Sequence, residues 1–136
     1  MTRFAIDALT AIRLAREGIT VSAEHQLVAP SVLRSQALSS VYRDARRGAL
    51  SETEARALLD GITSMRIRLL GDRVSRAVAW RIATQLGWAD TADAEYVAVA
   101  QLQADVLVTA DPGLARQVAG LVETAPFGLL TAGEGA

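Results

Sequence analysis

The sequence predicts an α/β protein, a three-layer α/β/α sandwich built on a short parallel sheet of four or five strands. Two observations carry this. Short apolar runs alternate with helical segments from end to end, as in parallel strands joined by crossover helices. In addition, Val106-Leu107-Val108 is a continuous apolar run, as expected of a strand buried on both faces, and Thr109-Ala110-Asp111-Pro112-Gly113 turns the chain outward after it. At 136 residues, 51% of them hydrophobic, the chain suits one domain over 1–130, followed by a flexible small-residue tail at 131–136.

Each element has its own signal. Arg3 to Asp7 is short, apolar and ends in an acid, so it reads as a first strand with Asp7 at its carboxyl end. Ala8 to Glu17 carries leucine, isoleucine and alanine at helical spacing, and Gly18 stops that helix. Gln26 to Pro30 reads as a second strand, with Pro30 opening the next helix, which runs to about Arg47. Its inward stripe is Val32, Leu33, Gln36, Ala37, Ser40 and Val41, so Gln36 is an inward polar residue.

Ser51-Glu52-Thr53-Glu54 is a capping box for a helix to about Thr63, and Arg66 to Leu70 reads as a third strand. Asp72 caps a longer helix through Leu86, with Val74, Ala77, Val78, Arg81, Ile82 and Leu86 along one side. Thr91 is the N-cap expected for the following helix, where Asp93 shares a face with Tyr96, Val97 and Ala100 and so points at the core. Beyond the Val106–Val108 strand, Leu114 to Val118 form a short helix and Leu121 to Glu123 an edge strand.

Composition excludes several chemistries. There is no cysteine, which removes disulfides, thiolate nucleophiles and cysteine-ligated zinc. The one histidine, His25, reads as a solvated loop residue, and a triad built on it would need a Gly-x-Ser-x-Gly elbow that is missing. No Gly-x-Gly-x-x-Gly or P-loop pattern occurs. A formal net charge of −1 gives no global field for nucleic acid, although all 14 basic residues are arginine, whose planar fork suits phosphate. With neither a long apolar span nor a signal-peptide pattern, the expected setting is soluble and cytoplasmic.

Three acids stand out. Asp7 and Asp111 fall just after predicted parallel strands, and Asp93 lies on the inward face of a helix start. The carboxyl ends of parallel strands meet at one edge of the sheet, so the three can converge although far apart in sequence. Carboxylates about 5 Å apart repel by roughly 3 kcal/mol per pair at an effective dielectric of ~20, a cost that a cation would offset. Oxygen-only ligands select hard metals, Mg²⁺ or Mn²⁺. Asp72 and Asp90 read as helix caps, Asp105 as turn chemistry and Glu95 as solvent-facing. Tyr96, Trp80 and Trp88 read as core or helix-packing residues rather than base-stacking platforms.

Taken in order, Ile6-Asp7, Ala29-Pro30-Ser31-Val32-Leu33-Arg34-Ser35, Asp93-Ala94-Glu95-Tyr96-Val97-Ala98-Val99-Ala100 and Leu107-Val108-Thr109-Ala110-Asp111 resemble the PIN domain, and more narrowly the VapC-type toxins of bacterial toxin–antitoxin pairs. The resemblance covers about residues 3–124. It implies a Mg²⁺- or Mn²⁺-dependent endoribonuclease with Asp7, Asp93 and Asp111 as metal-binding and catalytic acids, held by a small antitoxin and dimerising through helices.

The family's second acid is normally a glutamate, and here the matching residue is Gln36, which the resemblance nevertheless places in the catalytic set. The Ser, Thr or Asn usual two residues beyond the first acid is Leu9, with Thr10 one step later. An amide in place of a carboxylate removes a charge from the metal shell and weakens cation binding. A second reading follows: a degenerate PIN-like protein that binds RNA or a partner without cutting. Arg13, Arg34, Arg43 and Arg81 are the candidate phosphate contacts.

Overall fold

The computed structural model describes residues 1–131. Five strands and six helices follow the order β1 (Arg3–Ile6), α1 (Ala8–Glu17), β2 (Gln26–Pro30), α2 (Leu33–Arg46), α3 (Glu52–Ser64), β3 (Ile67–Leu70), α4 (Arg73–Leu86), α5 (Ala92–Gln103), β4 (Val106–Val108), α6 (Pro112–Gln117) and β5 (Thr124–Ala125), with a 3-10 turn at Phe127–Leu130. All strands are parallel, in the order β3-β2-β1-β4-β5. Register pairs Ala5 with Val28 on one side and with Leu107 on the other. Every carboxyl end therefore faces the same rim.

The central strands are buried on both faces, which is why their apolar runs do not alternate. Ile6, Val28, Leu107 and Val108 are all essentially inaccessible to water. Helix α5 packs against β1, β2 and β4, with α4 beside it, while α1, α2 and α3 pack on one another. From Tyr96 to Ala100 every residue of α5 is buried, so its apolar residues run all the way round. Among the described residues, no helix is long and apolar enough to cross a membrane.

Gly18 ends α1 in the left-handed region at φ 65°, as its position predicts. The Ser51–Glu54 capping box closes in both directions, each bond at 3.0 Å. Asp72 likewise accepts the Ser75 N–H at 2.8 Å.

Several expectations need correcting. Pro30 does not open α2; it is the last residue of β2, paired with Leu70, and the next backbone bond to β3 comes from the Ser31 N–H at 2.9 Å. A proline with no N–H is harmless at a position where its neighbour donates instead. Leu121 and Val122 belong to a turn packed on the core, and the edge strand is the two residues Thr124 and Ala125, because the chain needs that turn after α6 to reach β4. The buried side of α4 is Val78, Ala79, Ile82 and Ala83, whereas Val74, Ala77 and Arg81 are exposed. This helix has apolar residues on two faces, and periodicity alone does not say which one meets the core.

Trp80 is 71% exposed rather than packed. Trp88 does lie against the core. His25 is not a free loop side chain: its Nδ1 accepts the Thr2 N–H at 3.1 Å and its ring stands edge-on to Phe4. The tail expected at 131–136 lies, beyond Thr131, outside the described residues.

Candidate active site at the carboxyl edge of the sheet

Asp7 follows β1 and forms the N-cap of α1, one carboxylate oxygen accepting the Thr10 N–H at 2.8 Å. Asp111, three residues past Val108, N-caps α6 in the same manner, taking the N–H groups of Gly113 at 2.9 Å and Leu114 at 3.2 Å on a single oxygen. The buried Thr109 hydroxyl accepts the Asp111 N–H at 3.1 Å and holds the turn. In each acid the second oxygen has no protein partner among the described residues. Because β1 and β4 are adjacent, the two acids emerge side by side.

Asp93 comes from the first turn of α5. It does not point at the core: the residue is exposed, at the rim where the helix starts, and burial begins at Ala94. Thr91 holds the N-cap position without a side-chain bond, and the cap is supplied by Asp90, which accepts the Ala92 N–H at 3.0 Å. Partial desolvation pushes the Asp93 carboxyl above its ordinary range, helped by the charges of Asp111, Asp90 and Asp7. The repulsion from Asp7 and Asp111 shows that the three sequence-predicted acids share one electrostatic neighbourhood.

Gln36 reaches the same neighbourhood from α2. Its side-chain oxygen accepts a hydrogen bond from the Tyr96 hydroxyl. Tyr96 is 4% exposed, and burial, followed by the fields of Asp7, Glu95 and Asp93, drives its ionisation far above the usual tyrosine range, so it stays a donor. Sequence reasoning assigned Tyr96 to packing and missed this second use. The signal was available, since Gln36 and Tyr96 were both read as inward-facing.

Leu9 is exposed, and the neighbouring Thr10 is buried with its hydroxyl directed at the Val108 carbonyl, at 3.5 Å. Of the candidate phosphate contacts, Arg13 pairs with Glu17 and lies over the Phe127 ring, and Arg43 donates to Ser39; Arg34 and Arg81 are exposed. Asp105 bridges to β1, accepting the Arg3 N–H at 2.8 Å, in keeping with turn chemistry.

Among the described residues, no three His, Asp or Glu side chains stand close enough to cage a metal ion by themselves. The donor chemistry still suits Mg²⁺, which keeps several waters and is commonly held by one or two carboxylates together with a substrate phosphate. The unpartnered oxygens of Asp7 and Asp111, and the whole of Asp93, are donors of that kind.

No protein-family model matches the chain, and comparison with curated proteins finds no match. Solved structures do match. PAE2754 from Pyrobaculum aerophilum superposes with a TM-score of 0.74 at 23% identity, over 95% of this chain and 92% of that one. VapBC2 from Rickettsia felis, bound to a DNA fragment from its promoter, gives a TM-score of 0.66 at 10% identity over 91% and 98%. VapBC-1 from nontypeable Haemophilus influenzae gives 0.62 at 14% identity over 93% and 98%. The chain shares its fold with these structures, a PIN-like α/β fold. Within this fold, Asp7, Asp93 and Asp111 occupy the carboxyl edge of the sheet, where open α/β sheets bind their ligands.

Proposed function

We propose that this chain is a Mg²⁺- or Mn²⁺-dependent endoribonuclease and the toxin component of a toxin–antitoxin pair, acting in the cytoplasm. The observation that supports it most is the placement of Asp7 and Asp111 after the adjacent strands β1 and β4, with Asp93 at the start of α5 on the same edge of the sheet. Asp7, Asp93 and Asp111 are the residues that would hold the cation. When bound, such an ion supplies a deprotonated water and stabilises charge on the phosphodiester.

The protein's own contribution is positional. The cap bonds at Asp7 and Asp111 fix one oxygen of each carboxylate and leave the other without a protein partner among the described residues. The bond from Tyr96 holds the Gln36 side chain in place. Two of the similar structures are VapBC complexes, which supports a small antitoxin as protein partner. A homodimer is part of the same reading; Leu38 and Tyr42, one helical turn apart on the outer side of α2, are exposed apolar residues available for such contacts.

A second reading, a PIN-like protein that binds without cutting, is favoured by one specific observation: the position of the usual second acid carries the neutral Gln36, its oxygen already engaged by Tyr96. Cleavage of a mixed RNA pool in Mn²⁺ and in EDTA separates the two. The nuclease reading expects metal-dependent cutting by the wild type and a loss of at least about 100-fold in Asp93→Ala, on the scale of removing a charged catalytic group. Equal cleavage by wild type and Asp93→Ala would sink it. A silent wild type beside an active Gln36→Glu variant would establish the non-cutting reading.

A further inference from the structure

The carboxyl edge of the sheet carries a second feature beside the acids. A cleft of about 410 Å³ opens above the ends of β2 and β3, lined by Ser31, Asp72, Arg73, Ser75, Arg76 and Glu95 among others. The acids stand above β1 and β4, and the strand order is β3-β2-β1-β4-β5. With neighbouring strands about 4.8 Å apart, acids and cleft form one continuous line along the rim. Glu95, two residues beyond Asp93 on α5, borders the cleft.

The far wall of the cleft is α4, whose composition is unusual for this chain. It holds Arg73, Arg76 and Arg81 and no acidic residue. Among the described residues three arginines form ion pairs, Arg13 with Glu17, Arg47 with Asp44 and Arg56 with Glu52. Among the described residues, none of the three α4 arginines has an ion-pair partner. Two acids, Asp72 and Glu95, line the cleft with Arg73 and Arg76; Asp72 is occupied with capping α4, and neither forms an ion pair with them. Arg73, Arg76 and Trp80 stand at i, i+3 and i+7 and share one helical stripe about 10 Å long, ending in an indole that is 71% exposed.

We infer that this stripe is a track for single-stranded RNA: Arg73 and Arg76 contact phosphates in the cleft, Trp80 stacks a base beyond it, and the strand runs along the rim to the acids. The inference deepens the nuclease reading and rests on it for the role of the acids. Cationic side chains following a backbone, with an aromatic face for a base, are how single strands are held without sequence readout. An exposed tryptophan with unpaired arginines one and two turns away meets that requirement. A second copy docked face to face on this stripe would set arginine against arginine.

The test reads binding without cleavage. A labelled single-stranded RNA dodecamer of mixed sequence is titrated with protein in EDTA, followed by anisotropy and by Trp80 emission in a Trp88→Phe background, where Trp80 is the sole tryptophan. The expected results are quenching of Trp80, affinity about 10-fold lower in Trp80→Ala with partial recovery in Trp80→Phe, and a similar loss in the Arg73→Ala/Arg76→Ala double variant. The double variant should also flatten the slope of log affinity against log salt by about 1.4. Arg56→Ala, on α3, serves as the unaffected control. These are surface positions, and circular dichroism verifies the fold.

Affinities within about 2-fold of wild type in both variants, or no RNA binding at all, overturn the inference. If RNA affinity is unchanged while Trp80→Ala abolishes self-association, the face belongs to a second copy. Tighter binding of a DNA dodecamer of the same sequence overturns the assignment to RNA. Because nothing is cut in EDTA, the two readings fail separately. Quenching and variant losses without cleavage in Mn²⁺ retain the track and reject the nuclease; full cleavage by the α4 variants does the reverse.

Discussion

Asp93 shows how one residue can oppose the fold that places it. Its carboxyl is raised by desolvation and by Asp111, Asp90 and Asp7, so the folded chain holds that proton more tightly than the unfolded chain does. Below the ordinary value of 3.8 the group is neutral in both states and carries no penalty. As pH rises past that value the unfolded form ionises first, and stability falls until the folded carboxyl has ionised too. At neutral pH, without added cation, Asp93→Asn should therefore be more stable than wild type. The site is exposed and screened, so the gain is bounded at about 1 kcal/mol, or a rise in Tm of less than about 4 °C. Thermal melts at pH 7 and pH 3 check this. A variant less stable than wild type at pH 7 would show that Asp93 makes a favourable bond rather than bearing repulsion. Tyr96 is the converse case: burial and the same acids keep it a neutral donor for Gln36.

Helix ends set the positions of these side chains at the scale of elements. Asp7 and Asp111 each work twice, as N-caps of α1 and α6 and as rim carboxylates. The caps of α3 and α4 have the opposite pH behaviour to Asp93. Bonds to Ser51 lower Glu54 and bonds to Ser75 lower Asp72, so their contribution is present above the ordinary values of 4.5 and 3.8 and is lost as pH falls through the lowered ones. Ser51→Ala removes one arm of its capping box and should cost about 1 kcal/mol. Urea denaturation measures it. A loss near zero would mean that the α3 terminus is held by packing alone.

The five-stranded parallel sheet matters at the scale of the whole molecule because its order decides what stands beside what. β1 is central, flanked by β2 and β4, and the core runs through Ile6, Val28 and Leu107. Leu107→Ala should cost 2–5 kcal/mol, the range for emptying a fully buried leucine site, with a Tm fall of at least about 5 °C. Calorimetry tests it, and a loss under about 1 kcal/mol would mean that the sheet collapses around the gap. The sheet order also lays the acids and the α4 cleft along one edge, a relation with no counterpart in linear spacing.

Much of this was legible in the residues themselves. The parallel architecture followed from buried apolar strands such as Val106-Leu107-Val108, and the Ser51 capping box, the Asp72 cap and the Gly18 stop followed from local chemistry, since each depends on residues within a few positions of one another. Asp7 and Asp111 were assigned to strand ends because a strand followed by an acid and a turn is a local pattern too. Tertiary structure decided the remainder. Which of two apolar faces of α4 meets the core, and hence that Trp80 is exposed, depends on how α4 seats against α5. That Asp93 sits at the rim rather than inside depends on where α5 begins relative to the sheet edge. The bond between Tyr96 and Gln36, sixty positions apart, exists because α2 and α5 both approach the carboxyl edge. Short-range hydrogen bonding and periodicity are encoded within a helical turn or a strand. Facing, depth and juxtaposition are set by packing between elements, and those are the properties that make three separated acids a candidate site.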